Sequence, residues 1–206
     1  MSIDGYGHPS IPQGRLVLVR HGETEWSKSG QHTGTTNLPL LPEGEEAARS
    51  VRGVLEEFNF KHVRCSPLDR AQRTAELAGL KVDMIDEDLR EWDYGGYEGI
   101  TTAEIREKNG YPWTVFEHGV IPGDTPGETV EEVAARASRV LVDVHELLHE
   151  GDVALVGHGH ALRILTGVYL RSDPRFGRHL DFKTGTVAVL GHHHEDPVIE
   201  AWNRRR

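Results

Sequence analysis

Two runs of consecutive apolar residues stand out along the chain, Leu16-Val17-Leu18-Val19 and Val153-Ala154-Leu155-Val156. Both are short and rich in β-branched side chains, so each predicts a strand buried on both faces. Both also end alike, the first in Arg20-His21-Gly22-Glu23-Thr24 and the second in Gly157-His158-Gly159-His160. The C-terminal end of a buried strand is where open α/β sheets bind ligands. Glycine at that point lets the main chain turn tightly or approach a ligand closely. The repetition predicts that two histidines meet from adjacent strand ends.

Between these strands the pattern predicts helices. An apolar face of Ala47, Val51, Val54, Leu55 and Phe58 predicts a helix from Pro42 to about Phe58, with early acids at its positive end. A mixed strand follows over 60–65. Ser66-Pro67-Leu68-Asp69 predicts a helix start, with Ser66 as cap, Pro67 in the first turn and Asp69 closing a capping box. That helix runs to about Ala78, and Gly79 can stop it. Another strand is expected over 81–85 and a short helix over 101–108. The clearest helix starts at the Thr129/Glu132 capping box and carries Val130, Val133, Ala134, Ala137, Val140, Leu141, Val144, Leu147 and Leu148 at three- and four-residue spacing; Gly151 ends it. A helix over 161–170 and two late strands, 186–190 and 198–202, complete the pattern, the strands as an antiparallel edge pair.

Strands alternating with helices predict a three-layer α/β/α sandwich. Residues 1–14 form a polar tail, and 15–206 one domain with a small cap segment at about 100–127. Three stretches lack any period: 22–41, 89–99 and 110–127. Long aperiodic loops in a small domain are commonly functional.

Composition narrows the class. A chain of 206 residues, 37% apolar, with 23 glycines, suits a single loop-rich enzyme-like domain. The net charge of -10 lacks the basic footprint of a nucleic-acid binder, yet permits a local arginine pocket. The single cysteine, Cys65, excludes an intrachain disulfide framework and is expected to be buried and inert. Neither a signal-peptide core nor a membrane-length apolar run is present, so a cytoplasmic, membrane-free protein is the expectation, with homodimerisation left open.

The candidate chemistry is phosphoryl transfer. Arg20 and Arg70 can fork onto phosphoryl oxygens. An imidazole can attack phosphorus directly or, when protonated, donate to its oxygens. Glu91 or Glu23 could protonate a leaving alkoxide. Arg70 and Arg73, three apart, could equally be surface arginines paired with Asp69 and Glu76. Of the 13 histidines, His32, His62, His118, His145, His149 and His179 are assigned ordinary surface or hydrogen-bonding roles. His192-His193-His194 predicts a solvated hairpin turn rather than a chelate. No His-Glu-x-x-His and no paired cysteines occur, so neither a metal site nor a cofactor is predicted.

At this point the residues resemble the histidine phosphatases, also called the phosphoglycerate mutase-like superfamily, over about residues 15–191. Arg20-His21-Gly22-Glu23-Thr24 resembles the family signature, whose histidine is the phosphorylated nucleophile. Thr33-Gly34, with Asn37-Leu38-Pro39-Leu40 and Gly44, resembles its phosphate loop. Ser66-Pro67-Leu68-x-Arg70-Ala71-x-x-Thr74-Ala75 resembles the segment that supplies a phosphate arginine, and Leu89-x-Glu91 with Gly95 and Glu98-Gly99 the one that supplies the proton donor. Pro126-Gly127-Glu128-Thr129 is similar to the family's Gly-Glu-Ser, and Gly157-His158-Gly159 to its second histidine. The resemblance implies a mostly parallel sheet with both histidines at its C-terminal side. It implies His21, Glu91 and His158 as catalytic residues, and Arg20, Arg70, Ser27, Thr33, Gly34 and Gly159 as phosphate-binding residues.

Two positions depart from the family. Ser27 stands where asparagine is usual, and as a shorter donor it weakens one phosphate contact. Gly157 stands where serine is common. The implied activity is hydrolysis of small phosphomonoesters, broadly chosen. The alternative is a cofactor-dependent phosphoglycerate mutase, which usually carries a basic insertion for the substrate carboxylate. Residues 100–125 offer only Arg106 and Lys108 against Glu104, Glu107, Glu117 and Asp124, which favours release to water. A non-catalytic phosphate-binding domain is disfavoured because both histidines are present.

Overall fold

The computed structural model describes residues 11–205. Six strands, β1 (Leu16–Arg20), β2 (Phe60–Cys65), β3 (Met84–Ile85), β4 (Asp152–Gly157), β5 (Val187–His193) and β6 (Asp196–Arg204), form one sheet in the order β3-β2-β4-β1-β5-β6. The pairs β3/β2, β2/β4 and β4/β1 are parallel, whereas β1/β5 and β5/β6 are antiparallel. The sheet is therefore mostly parallel with an antiparallel edge, as expected.

Why β1 is apolar at every position follows from its place. Leu16 and Leu18 point into a core with α7 (Val130–Leu147) and α8 (Gly159–Tyr169), through Val140, Val144, Leu162 and Leu165. Val17 and Val19 point the other way, toward α2 (Pro42–Ser50), α3 (Arg52–Leu55) and α4 (Asp69–Leu77), through Val51, Val54, Leu55, Ala71 and Ala75. A strand covered on both faces cannot alternate polar and apolar residues. A third core gathers Trp92, Tyr94, Tyr97, Trp113 and Phe116 with Val130, Val133 and Ile164. The cap segment, with α5 (Thr102–Asn109) and α6 (Val115–His118), is thus packed onto α7 and α8 through buried aromatics.

The register decides where the chemistry sits. Arg20 pairs with Gly157 across β1 and β4, so His21 and His158 leave the sheet side by side. Several local expectations need correction. The loop 22–41 contains a short helix, α1 (Glu25–Ser29), closed by a Thr24/Ser27 capping box. The helix from Pro42 passes through Val51 and stops at Leu55, while Phe58 stacks on Phe60 instead. Ser66 does not cap α4; Leu68 holds the cap position without a side-chain bond. The strand expected over 81–85 reduces to Met84–Ile85 at the exposed edge. His192 and His193 end β5 and His194 makes the hairpin turn, with φ 55. Of the predicted tail, residues 1–10 lie outside the described residues, and Gly14 donates its N–H to Leu148 O at 3.0 Å.

Candidate active site

His21 is held by its main chain on both sides. Its N–H donates to Gly157 O (3.0 Å), and its carbonyl accepts from Gly185 N (2.9 Å). Its imidazole Nδ1 lies 2.6 Å from Gly22 O. A carbonyl can only accept, so Nδ1 carries the proton and the Nε2 lone pair is free. Gly22 is needed for close approach: a Cβ there would sit 2.2 Å from Gly44 O. Its N–H is tied to Thr74 Oγ1 at 3.0 Å, which anchors the turn to α4.

His158 is fully buried at the start of α8, its ring centroid 5.1 Å from that of His21. Arg70 Nε donates to its Nδ1 at 3.2 Å, so Nε2 carries the proton and donates to Ser66 Oγ at 2.7 Å. Burial, followed by the charges of Arg70 and Arg20, holds His21 well below the ordinary imidazole range. Burial and then Arg70 do the same for His158. Both rings are therefore neutral near pH 7, and His21 presents a free lone pair as a nucleophile requires.

The arginines prove unlike one another. Arg73 lies at the surface, paired with Glu45 (2.9 Å) and Glu76 (2.8 Å). Arg70 is fully buried, and its guanidinium meets no carboxylate. It donates to Thr36 O (2.9 Å), Thr33 O (3.2 Å), Gly34 O (3.0 Å) and His158. Arg20 donates from Nη1 to Phe182 O, while its buried Nε has no partner. A buried charge without a counter-charge is costly, which makes this a site built for an anion. Desolvation lowers the pKa of both guanidinia, opposed first by Glu91. Arg20 also explains Gly159, where a Cβ would sit 2.9 Å from Arg20 Cζ.

Glu91 is buried at the N-terminal end of α8. Its Oε1 accepts from Trp92 N (2.9 Å) and Ala161 N (2.8 Å), and Oε2 from His160 N (3.0 Å). Its loop is clamped from α7. Arg136 grips both oxygens of Glu128 at 2.9 and 3.1 Å and donates to Asp88 O and Arg90 O. Glu128 in turn accepts from Asp93 N (3.0 Å), and its carbonyl from Trp92 Nε1 (2.7 Å).

The remaining expected positions stand nearby with other engagements. Ser27 Oγ accepts from Thr24 N at 2.8 Å within the capping box. Thr33 and Gly34 give their carbonyls to Arg70, and Gly34 N–H donates to the Glu98 carboxylate at 2.9 Å. Glu23 is half-buried and is one of the acids acting on Arg20. Sequence reasoning missed Ser66 as a partner of His158, Glu98 as the anchor of the 33–36 loop, Arg136, and a group made of the buried His32 and Tyr94 with the half-buried His160. The repeat Gly157-His158-Gly159-His160 was the one available signal for the last. Among the described residues, no group of three or more His, Cys, Asp or Glu is placed to hold a metal ion. No helix among them is long and apolar enough to cross a membrane.

Two neutral histidines, the buried Arg70, the half-buried Arg20 and a buried carboxyl come together at one sheet end, and the comparisons place the chain. It belongs to the histidine phosphatase superfamily (branch 1), whose family model matches residues 16–205. It is 37% identical to an acid phosphatase of Mycobacterium tuberculosis, over 87% of each chain. It is 36% identical to sedoheptulose 1,7-bisphosphatase of Saccharomyces cerevisiae, over 85% of this chain and 72% of that one. Relatives named phosphoglycerate mutase match at 28–32% identity. A solved structure of an open-reading-frame product of Mycobacterium tuberculosis superposes with a TM-score of 0.88 at 35% identity, covering 94% of this chain and 98% of that one.

Proposed function

We propose that the protein hydrolyses small phosphomonoesters through a phosphohistidine on His21. The observation that carries this reading is the Nδ1–Gly22 O bond, which leaves Nε2 as the one free nucleophilic nitrogen at the end of a rigid strand. In the first step Nε2 bonds to phosphorus while the ester P–O bond breaks, and the leaving alkoxide takes its proton from the Glu91 carboxyl. In the second step water attacks phosphorus, Glu91 takes the water's proton, and the N–P bond breaks to release inorganic phosphate. Arg20 Nε, the Arg20 Nη hydrogens not used on Phe182 O, and the remaining Nη1 hydrogen of Arg70 are donors available to the phosphoryl oxygens. A bound dianion raises the proton affinity of His158, and a proton taken up at its Nδ1 releases the Arg70 Nε–H from that bond for the phosphoryl oxygens. The arginines supply the positive charge, so the reaction needs neither metal nor organic cofactor and chelators leave the rate unchanged.

Hydrolysis rather than transfer is supported by the phosphatase names of the relatives at 36 and 37% identity. It is also supported by the cap, where Arg106 is spent on Trp113 O at 2.8 Å. The test is acid-labile labelling by substrate phosphate. His21→Ala is expected to lose both labelling and turnover, and retained phosphoenzyme in that variant refutes the assignment. Rapid formation of 2-phosphoglycerate from 3-phosphoglycerate with little free phosphate refutes hydrolysis in favour of the mutase.

A further inference from the structure

One cluster beside the catalytic group has no part in the steps above. His32 and His160 lie with parallel rings, centroids 6.2 Å apart and planes within 13°. Trp113 stands edge-on to His32, Phe116 tilts toward His160, and Tyr94 stands edge-on to both. The pair is tied to the reaction machinery through the main chain. His160 N–H holds Glu91 Oε2, and the residues after His32, Thr33 and Gly34, hold Arg70.

Each ring has one nitrogen fixed. His32 Nδ1 lies 2.6 Å from Ile100 O, so it is the protonated nitrogen and Nε2 is a bare acceptor. His160 Nδ1 lies 2.6 Å from Tyr94 Oη. If the imidazole donated, the phenol hydrogen would have no acceptor, so the phenol donates and His160 Nε2 carries the proton. Among the described residues neither Nε2 has a partner, and neither is a sealed orphan. Glu91 acts electrostatically on His32 and Arg20 on His160, so the cluster stands beside the proposed reacting groups and offers one acceptor and one donor among aromatic rings. Burial lowers the pKa of both rings, so they meet a ligand as neutral partners rather than as cations.

We infer that the Nε2 atoms of His32 and His160 read hydroxyl groups on the leaving alcohol, so that the preferred substrates are phosphate esters of polyols and sugars. A vicinal hydroxyl can both donate to His32 and accept from His160, which an alkyl chain cannot do. This inference rests on the phosphatase reading above.

The test compares kcat/KM for glycerol 3-phosphate and a hexose 6-phosphate with that for n-propyl and n-butyl phosphate. The wild type is expected to prefer the hydroxylated esters by about 10-fold or more, the worth of one or two hydrogen bonds. His160→Asn keeps an amide at the Nδ1 position for Tyr94 and loses Nε2, and His32→Asn does the same for Ile100. Each should collapse the preference toward unity, read as the ratio of kcat/KM on hydroxylated to plain alkyl esters within the same variant, so that a general change in rate cancels. His160→Gln, whose amide reaches the Nε2 position, should restore it, which a merely structural role for the ring does not predict. Equal wild-type rates on hydroxylated and plain alkyl esters overturn the inference and leave the phosphatase reading intact. So does an unchanged preference in both Asn variants. Absence of phosphate release from every ester removes the phosphatase reading and this inference with it.

Discussion

Arg136 offers the sharpest test of how the fold holds its chemistry. It lies on the buried face of α7 beside Val133, Ala137 and Val140, yet carries a full charge. Its four hydrogen bonds end on the two Glu128 oxygens and on the carbonyls of Asp88 and Arg90. Residues 88–93 thus take their path from one guanidinium, and Glu91 lies within that path. Arg136→Met keeps the length and apolar stem of the side chain and removes the charge. The Glu128 carboxylate is left with Asp93 N as its donor, and two buried carbonyls lose theirs.

Breaking one side of a buried pair costs about 3–5 kcal/mol. Glu128 keeps 25% of its side chain exposed, and water there places the loss near the lower end, at about 3 kcal/mol. At about 2–4 °C per kcal/mol for a chain of this size, the melting temperature should fall by roughly 6–12 °C. The proton donor contributes about 10²- to 10⁴-fold, so its loosening should lower kcat at least 10-fold on alkyl phosphates. Thermal and urea denaturation of Arg136→Met, Glu128→Gln and the double variant measure the coupling directly, which should exceed about 1 kcal/mol. Strict additivity, or a single variant with wild-type stability and turnover, refutes the clamp.

Four further outcomes are expected. Glu91→Gln replaces one acceptor oxygen of a carboxylate that holds three N–H groups. It should slow alkyl phosphates far more than aryl phosphates, whose phenolate leaves unaided, and equal loss on both transfers the proton-donor role to Glu23. Cys65 is buried, with its thiol pushed up to about 12 by desolvation, so iodoacetamide at pH 8 should label only the unfolded chain; labelling of the native protein contradicts this. His21 and His158 have folded pKa values below their unfolded value near ~6.5. The unfolded chain then binds more protons, so stability should fall as pH drops from 7.5 to 5.5, by up to ~1.4 kcal/mol per unit for each imidazole. Sulfate, dianionic throughout, favours protonated His158, and its stabilisation should grow over the same interval; a pH-independent sulfate shift in melting temperature rejects this.

How much was legible follows from what kind of force places each residue. β1 and β4 are written as consecutive apolar runs, and α7 in apolar periodicity and the Thr129/Glu132 box, signals that each act within one element. The edge strand β3 was overdrawn because Lys81 to Ile85 has strand-like composition, whereas pairing with β2 extends only to Arg64–Met84 and Cys65–Ile85. The short α1 was missed because its capping box spans Thr24 and Ser27, a serine where glutamate or glutamine is the recognisable partner.

The site divides in the same way. Arg20 ends β1, and His21 and His158 directly follow β1 and β4, so the strand pattern carried them to their places. Ser66 shows the opposite case. Beside Pro67 and Asp69 its local signal is a helix cap, and the long-range partner that claims it, His158 Nε2 at 2.7 Å, lies 92 residues away. Arg136 looks like a polar interruption of an amphipathic stripe until Glu128, Asp88 and Arg90 close around it. Tertiary partners decide between two locally sound roles for such side chains. The misplaced cap at Ser66 and the unforeseen clamp at Arg136 therefore have one cause: each residue serves the neighbour of a reacting group, and that neighbour belongs to another element.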